Sequence, residues 1–336
     1  MRQMKLVFIL ALIVGTTSAT RTQSPAQVGN ALLTHVGIVV RDIDETIRQY
    51  VNVMGFPVPE REVRPFGIDM PDGQKAEAKV INLYMPNFHI ELMEPVNEVG
   101  PYYEHLQKYG MGIQHMGLTV SGDVGAIVAG LEEKGGRWTL GRPGGFFAYV
   151  DFRQTLGISF EIIGASSAGP AGTDTPVPSE GVALPPLASL NATHVGFGVT
   201  DAEQVSTGYA DAFGFTAPRL GSYTDSQYPP DSNWNRAASL RLASWGQGGI
   251  GMELIESVGG PTPWSDYVEK QQGTAAQHIA INVGDKMDEM IRDLQMKGGT
   301  WTNGKPGGGY AYLDFMDTLG IIFEINGTSK MAAENQ

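Results

Sequence analysis

The chain contains two similar halves, and this duplication constrains its fold more than any other feature. The segment THVGIVVRDIDETIRQYVNVMGF, from Thr34, aligns with THVGFGVTDAEQVSTGYADAFGF from Thr193. Likewise GRPGGFFAYVDFRQTLGISFEIIG, from Gly141, aligns without a gap with GKPGGGYAYLDFMDTLGIIFEING from Gly304. Self-similarity of this kind indicates duplicated structural units, and the Pro-, Ala-, Gly- and Ser-rich segment between the halves indicates a linker. The predicted divisions are a domain at 31–164, a linker at 165–190 and a domain at 191–328.

Each half divides again into two modules with one order of secondary structure. In the first module LLTHVGIVV predicts a strand, Asp42 and Glu45 can cap a following helix, Gly55 can end it, and AKVINLYM and FHIELME predict strands. The second module restarts at IQHMGLTV, continues through the helical VGAIVAGLEEK, and ends with FFAYVDF and GISFEII. A single module leaves one sheet face uncovered, so modules must pair. We therefore predict an α+β fold of four βαβββ modules, which form two domains with curved mixed sheets around a cavity.

Histidine and glutamate recur at one place in every module. Each first strand contains a histidine and each last strand contains a glutamate, although the whole chain has only six histidines. Strand alternation puts these residues on the face opposite to their bulky apolar neighbours, as for Glu161 between Phe160 and Ile162. A single strand glutamate usually faces solvent, but recurrence in four modules favours a shared site. The set consists of His35, Glu91, His115, Glu161, His194, Glu253, His278 and Glu324.

Two histidines and two glutamates that converge in a cavity are suitable ligands for a divalent metal ion. Imidazole nitrogen and carboxylate oxygen bind Zn, Mn, Fe, Co or Ni, and a metal would compensate the charge of a buried carboxylate. Four protein ligands on an octahedral ion leave two adjacent positions for water or for a substrate with two neighbouring oxygens. We predict such a metal cofactor. Loss of the metal from one half remains an open alternative.

The modules and their ligands resemble the vicinal oxygen chelate superfamily, which includes glyoxalase I, methylmalonyl-CoA epimerase, extradiol dioxygenases and bleomycin-resistance proteins. The resemblance extends over nearly the whole chain after the N-terminal segment. It implies that each metal site takes one histidine and one glutamate from each of two modules. Some fused relatives pair modules crosswise between halves, and this alternative also remains open.

The resemblance implies three functions. In a lyase or isomerase like glyoxalase I, a metal-bound substrate loses the proton alpha to its carbonyl, and Glu161 or Glu324 would be both ligand and base. Glu77 is a further candidate base in the first half, although surface charge is an alternative role for it. An extradiol-type dioxygenase would use Fe(II) with two histidines and one glutamate. Glu253 occupies a position that this set of three ligands leaves empty. A metal-free protein that sequesters a small molecule would lack the ligands.

Composition and the N-terminus restrict partners and location. A formal net charge of −13 argues against nucleic acid or an anionic membrane as partner, and the absence of cysteine excludes disulfides and thiolate chemistry. The basic MRQMK, the apolar LVFILALIVG and the small residues of TTSA predict a secretory signal peptide at 1–19, with an uncleaved anchor as the alternative. Export to the periplasm or the extracellular space makes a coenzyme A thioester an unsuitable substrate. We expect a small, oxygen-rich molecule instead.

Overall fold

The computed structural model describes residue 28 and residues 31–60, 62–165, 184–216, 218–224, 227–247, 249–304 and 309–328. The predicted signal peptide at 1–19 and most of the predicted linker lie outside the described residues. Within the described part of the chain, no helix has the length and apolar character that a membrane crossing requires.

The first half contains two modules. The elements are β1 (Leu32–Val39), α1 (Ile43–Met54), β2 (Phe66–Asp69), β3 (Lys75–Tyr84), β4 (His89–Pro95), α2 (Pro101–Tyr109), β5 (Gly112–Val120), α3 (Val124–Glu132), β6 (Arg137–Gly141), β7 (Phe147–Asp151), α4 (Arg153–Leu156) and β8 (Ser159–Gly164).

The second half repeats this order. Its elements are β9 (Ala192–Val199), α5 (Ala202–Phe213), β10 (Gly221–Thr224), β11 (Ser239–Gln247), β12 (Ile250–Val258), α6 (Pro263–Lys270), β13 (Ala275–Asn282), α7 (Met287–Met296), β14 (Thr300–Gly304), β15 (Tyr310–Phe315), α8 (Met316–Leu319) and β16 (Ile321–Asn326). The predicted order of strand, helix and three strands is confirmed in all four modules. The prediction did not include α2 and α6, which connect the modules of each half, or the single turns α4 and α8.

Each half forms one eight-stranded mixed sheet. The strand orders are β2-β3-β4-β1-β5-β8-β7-β6 and β10-β11-β12-β9-β13-β16-β15-β14. The first strands of the two modules pair antiparallel at the centre, and each pairs in parallel with the last strand of its own module. Modules therefore pair within each half, and the crosswise alternative does not occur in this structure.

The two faces of each sheet have different roles. One face, which we call the core face, carries apolar side chains such as Val36, Ile90 and Phe160 and packs with the helices into a cluster that includes residues of both halves. The opposite face, which we call the site face, carries the predicted ligands. Alternation along the strands separates the two sets, because successive side chains point to opposite sides of a sheet.

The halves contact each other through equivalent elements. The buried Tyr50 hydroxyl of α1 donates to the Leu319 carbonyl of α8 at 3.0 Å, and the Tyr209 hydroxyl of α5 donates to the Leu156 carbonyl of α4 at 3.3 Å. Each contact joins the first helix of one half to the last module of the other. The end of the predicted linker also packs here, since Leu187–Ser189 is a buried turn of 3-10 helix.

Capping groups define the start and end of α1. The Asp42 carboxylate accepts from the backbone N–H of Glu45 at 2.9 Å, and Gly55 ends the helix with φ 78°, a conformation that glycine adopts without strain. Glu94, on the same strand as Glu91, accepts from the backbone N–H of Ile43 at 2.9 Å. One glutamate of β4 thus holds a helix start, while the other points into the predicted site.

Candidate metal centres

A β-bulge precedes each of the four predicted histidine ligands. The bulged residues are Thr34, Gln114, Thr193 and Gln277. A bulge re-aims the next side chain, and it is common beside active sites. The Nδ1 atom of His115 lies 3.0 Å from Oε1 of Gln114, and that of His278 lies 3.2 Å from Oε1 of Gln277. When Nδ1–H donates to this oxygen, Nε2 is left as the atom that can bind a metal.

Small residues opposite the histidines make room for the imidazole rings. The cross-strand partners of His35, His115 and His278 are glycines, and a Cβ added at any of them would overlap the imidazole. The fourth partner, opposite His194, is Ala280. The side chain of His194 is 18% exposed, whereas those of His35, His115 and His278 are at most 2% exposed. The more exposed histidine is thus the one that lies opposite alanine.

The first centre is formed by His35, Glu91, His115 and Glu161. The Nε2 atom of His35 lies 3.0 Å from Oε2 of Glu161 and 3.1 Å from Nε2 of His115. The Nε2 atom of His115 lies 3.3 Å from Oε2 of Glu91 and 3.8 Å from Oε2 of Glu161. Ligands at metal bonds of about 2.1 Å would be roughly 3.0 Å apart at right angles and roughly 3.4 Å apart in a tetrahedron. The donor set therefore fits one divalent ion.

The second centre is formed by His194, Glu253, His278 and Glu324, and the distances between its donor atoms are less uniform. Oε2 of Glu324 lies 2.9 Å from Nε2 of His194 and 3.3 Å from Nε2 of His278, and the two nitrogens are 3.4 Å apart. Oε2 of Glu253 is farther from both, at 3.6 and 3.8 Å. Three donors are thus closely grouped, and Glu253 stands slightly apart. All four still have ligand atoms within 4.8 Å of one another.

Hydrogen bonds between histidine and glutamate shift the pKa of Glu91 at the first centre and of His194 at the second. Burial alone would raise the pKa of Glu91, but hydrogen bonding to His115 and nearby imidazole charge lower it to about 2. Burial would likewise lower the pKa of His194, but its hydrogen bonds to Glu253 and Glu324 raise it to about 10. A metal ion at either centre would take the place of such imidazole protons, because only the neutral ring is a ligand.

Two tyrosines that the sequence analysis did not identify flank the last-strand glutamates. Tyr149 pairs across strands with Glu161, and Tyr312 pairs with Glu324. Their rings meet those of His115 and His278 edge-on, with centroids 4.8 and 5.0 Å apart. Burial raises the pKa of both phenols well above the usual value, so they stay neutral. The repeated AYVDF and AYLDF segments are the sequence signal for this pair.

A fifth histidine distinguishes the first centre from the second. His89 pairs with His35 across parallel strands, and the equivalent partner of His194 is Gly251. The His89 ring stacks on that of His35 with centroids 4.5 Å apart, and burial lowers its pKa to about 3. The first centre therefore has a neutral imidazole wall where the second has no side chain.

The structure does not bring Glu77 into either centre. Ala76 and Ala78 are buried on the site face of β3, so the intervening Glu77 points to the other side of the strand, where it is exposed. The residue of β3 that pairs with Glu91 is Asn82. The prediction that Glu77 acts as a base is corrected accordingly.

Comparison with known families agrees with this fold and this donor set. The sequence profile of the Glyoxalase/Bleomycin resistance protein/Dioxygenase superfamily matches residues 34–149 and again residues 193–313. These matches cover more than half of the chain, so the chain belongs to that superfamily. The predicted resemblance is confirmed. Members of the superfamily bind divalent metals, and the two donor sets found here could each hold one such ion.

Solved structures share the fold at low sequence identity. A triple mutant of 4-hydroxymandelate synthase from Streptomyces coelicolor matches with a TM-score of 0.59 at 15% identity, over 88% of this chain and 91% of that chain. A fusion of a xylose isomerase-like TIM barrel with 4-hydroxyphenylpyruvate dioxygenase matches with a TM-score of 0.50 at 11% identity, over 92% of this chain and 50% of that chain. No curated protein matches the sequence. These likenesses show the fold and leave the reaction to be inferred from the site.

Proposed function

We propose that the chain is an exported, metal-dependent lyase or isomerase that removes a proton alpha to a carbonyl group of a small, oxygen-rich substrate. The observation that carries this proposal is the complete set of two histidines and two glutamates in both halves. A set of three ligands would suffice to hold iron for oxygen chemistry. Proton abstraction requires a base in addition, and a fourth ligand provides a carboxylate that can act as one.

The proposed roles follow from the contacts at the first centre. His35, Glu91, His115 and Glu161 would hold the ion, which supplies Lewis-acid polarisation of a carbonyl oxygen when bound. Glu161 would take the substrate proton. It lies in the last strand of the second module, and Tyr149 is its cross-strand partner. The buried walls would exclude water and strengthen the interaction of this carboxylate with the C–H bond that it breaks. Glu324 would have the same role in the second half.

One observation favours an extradiol-type dioxygenase as the second candidate. At the second centre, His194, His278 and Glu324 are closely grouped, and Glu253 lies 3.6 and 3.8 Å from the two nitrogens. Two histidines and one carboxylate with open positions are the ligand set of non-haem Fe(II) oxygenases. If only this centre were active, the first half would be a structural partner with an intact donor set.

Metal content of the protein isolated from its native compartment tests these candidates. The wild type should contain one ion per donor set, and Glu161→Gln and Glu324→Gln should each remove about half of the metal. Gln is nearly isosteric with Glu, so both variants should keep their fold. Iron at one site only, lost with Glu324→Gln and retained with Glu253→Gln, would favour the dioxygenase. A folded protein without metal would overturn both enzymes and favour a small-molecule binding protein.

A second assay addresses the reaction class. A lyase or isomerase of the proposed type should exchange the alpha proton of hydroxy-ketones with solvent, so incubation in deuterated water should label that carbon. Glu161→Gln and Glu324→Gln together should abolish the labelling. Consumption of molecular oxygen with catechols, without any exchange, would support the dioxygenase.

The proposal of export rests on the N-terminal sequence. The basic, apolar and small-residue order of the first 19 residues supports recognition as a secretory signal. Cell fractionation should place the protein outside the cytoplasm, and N-terminal sequencing of that fraction should begin after Ala19. Recovery of the full-length chain in the membrane fraction would support the uncleaved anchor instead.

A further inference from the structure

A small cavity lies on the site face of the second half, beside the second candidate centre. It has a volume of about 170 Å³, which is below the roughly 300–1,000 Å³ of typical ligand pockets and therefore suits a single small group. None of the eight candidate metal ligands lines it. Tyr312 does, and it is the cross-strand partner of Glu324, so the cavity and the metal centre share a wall.

Asp314 contributes a carboxylate to this cavity. It is half-buried, and it accepts from the backbone N–H of Met316 at 2.7 Å. Within the described part of the chain, no basic side chain lies in ion-pair distance of it. A carboxylate that is partly removed from water usually has a cation or several hydrogen bonds to compensate its charge.

The first half shows what completes the equivalent carboxylate. Asp151 aligns with Asp314, and it likewise accepts from the backbone N–H two residues further on, at 2.9 Å. It also accepts from the Arg153 side chain at two points, with Nε 3.0 Å from Oδ1 and Nη2 3.1 Å from Oδ2. A guanidinium group in a two-point contact is therefore the partner of this carboxylate in the first half.

The second half lacks every side-chain partner that the first half provides. The side chains that contact Asp151 are those of Arg153, Ser159 and Arg137, and the residues aligned with them are Met316, Ile322 and Thr300. Met316 and Ile322 line the cavity. The space beside Asp314 thus lies where the first half places a guanidinium group and a hydroxyl group.

The electrostatics of the two carboxylates differ in the same sense. Burial would raise the pKa of Asp151, but the hydrogen bonds and the charge of Arg153 lower it below its ordinary value. Burial raises the pKa of Asp314, and the Met316 N–H and the charge of Lys270 offset only part of this effect. A cation against Asp314 would favour its charged form, as Arg153 does for Asp151.

Lys270 does not take the place of the missing arginine. Its side chain is exposed, and among the described residues no carboxylate lies in ion-pair distance of its ammonium group. Lys108 has the equivalent position on α2, and Asp151 pairs with Arg153 in spite of it. The lysine is therefore a common feature of both halves, whereas the arginine occurs in the first half alone.

Aromatic side chains form much of the cavity wall. Trp234, Trp264, Tyr267 and Tyr312 line it, and Trp264 and Tyr312 are only 1% and 5% exposed. The indole N–H of Trp234 donates to the Asp266 carboxylate at 2.7 Å, which holds this ring at the cavity. Aromatic rings attract cations, and a planar guanidinium also stacks on them. The walls thus suit the same group as the carboxylate.

We propose that this cavity binds the guanidinium group of a small molecule or of an arginine side chain, with Asp314 as the counter-ion. Two N–H groups of the ligand would meet the carboxylate as Arg153 meets Asp151. The site does not rest on the reaction proposed for the metal centres, because its residues are separate from both donor sets.

Isothermal titration of the full chain with methylguanidinium, at low ionic strength, tests this proposal. Urea is a planar control without charge, and tetramethylammonium is a cation without N–H groups. Methylguanidinium should bind at least about tenfold more tightly than either control, with a Kd below about 10 mM. The tryptophan fluorescence should change with the same affinity, since Trp234 and Trp264 line the cavity.

Two variants remove the site by different means. Asp314→Asn should abolish the preference for methylguanidinium over urea. Met316→Arg supplies a guanidinium group from the chain itself and should have the same effect with the carboxylate in place, so one variant still decides the result if the other does not fold. Glu269→Gln removes an exposed carboxylate of α6 that does not line the cavity, and it should leave the preference unchanged. This control accounts for the general attraction of cations to a chain of charge −13.

The tripeptide Gly-Arg-Gly distinguishes the two sources of the guanidinium group. Binding tighter than that of methylguanidinium would support the site and assign it to an arginine side chain, and weaker binding would assign it to a small molecule. Equal affinities for methylguanidinium and urea would overturn the proposal, as would full preference in a folded Asp314→Asn variant. The measurement needs neither metal nor turnover, so failure of the proposed function would not affect it.

Discussion

Replacement of Gly117 by alanine should destroy the first candidate metal centre without replacing any of its ligands. Gly117 lies opposite His35 across the central strand pair, and a Cβ there would overlap three atoms of the imidazole. His35 is 2% exposed, so the ring has no solvent-filled space into which it can move. It must leave the donor set, and the hydrogen bond of His35 to Glu161 at 3.0 Å is lost with it.

The substitution should lower both the metal affinity of the first centre and the free energy of unfolding. Metal–ligand distances tolerate deviations of only about 0.2 Å, and relief of this overlap needs a larger displacement, so the centre loses one of its four ligands. Changes in groups that merely orient ligands cost 10- to 100-fold in affinity, and we therefore expect a loss of at least about 100-fold at the first centre. Overpacking of a filled region should lower the free energy of unfolding by about 1–3 kcal/mol.

The chain itself supplies the control. Ala280 occupies the equivalent position opposite His194, whose side chain is 18% exposed. Ala280→Gly should therefore leave the second centre intact, whereas Gly196→Ala should damage it through His278. Metal titration of Gly117→Ala, followed by elemental analysis, should show one centre lost and the other unchanged. Two centres with the affinities of the wild type would refute the explanation of these small residues as space for the imidazoles.

Two further predictions concern the contact between the halves and the pH dependence of stability. Tyr50→Phe removes the hydrogen bond to the Leu319 carbonyl and should lower the free energy of unfolding by about 1 kcal/mol, measured by urea titration; no change would mean that water satisfies this carbonyl. His105 has a pKa of about 3 in the folded chain and about 6.5 when unfolded, so acid protonates the unfolded chain first and stability falls from pH 6.5 towards pH 3. Between pH 8 and pH 5 the wild type should lose about 2 kcal/mol more than His105→Tyr, and equal losses in both proteins would contradict the neutral buried ring.

The two candidate metal centres are not equivalent, although they belong to repeated units. His89 forms a wall of the first centre, and Gly251 leaves that wall open in the second. His89 adds a polar side chain beside the first donor set, and Gly251 leaves room beside His194 in the second. We expect the two halves to accept substrates of different size, or only one half to be catalytic.

Much of the fold and the donor set could be predicted from sequence because both depend on local periodicity. Alternation along β4 separates Ile90 and Leu92 from Glu91 whatever surrounds the strand. Each of the eight residues is ambiguous by itself, but their recurrence in every module indicated a shared role. The structure brings them together as two clusters of four. The cap at Asp42 and the helix end at Gly55 are local as well, and both are present.

Only the tertiary structure decided the features that depend on which strands become neighbours. Glu77 was misassigned because the sequence does not show which face of β3 turns towards the site. The pairing of modules within each half, the contact of His89 with His35 and the cavity at Asp314 all depend on long-range packing, and their partners are distant in sequence. Sequence alone therefore determined the module, its duplication and its candidate metal ligands. The packing of the modules determined which donors meet and how exposed each one is.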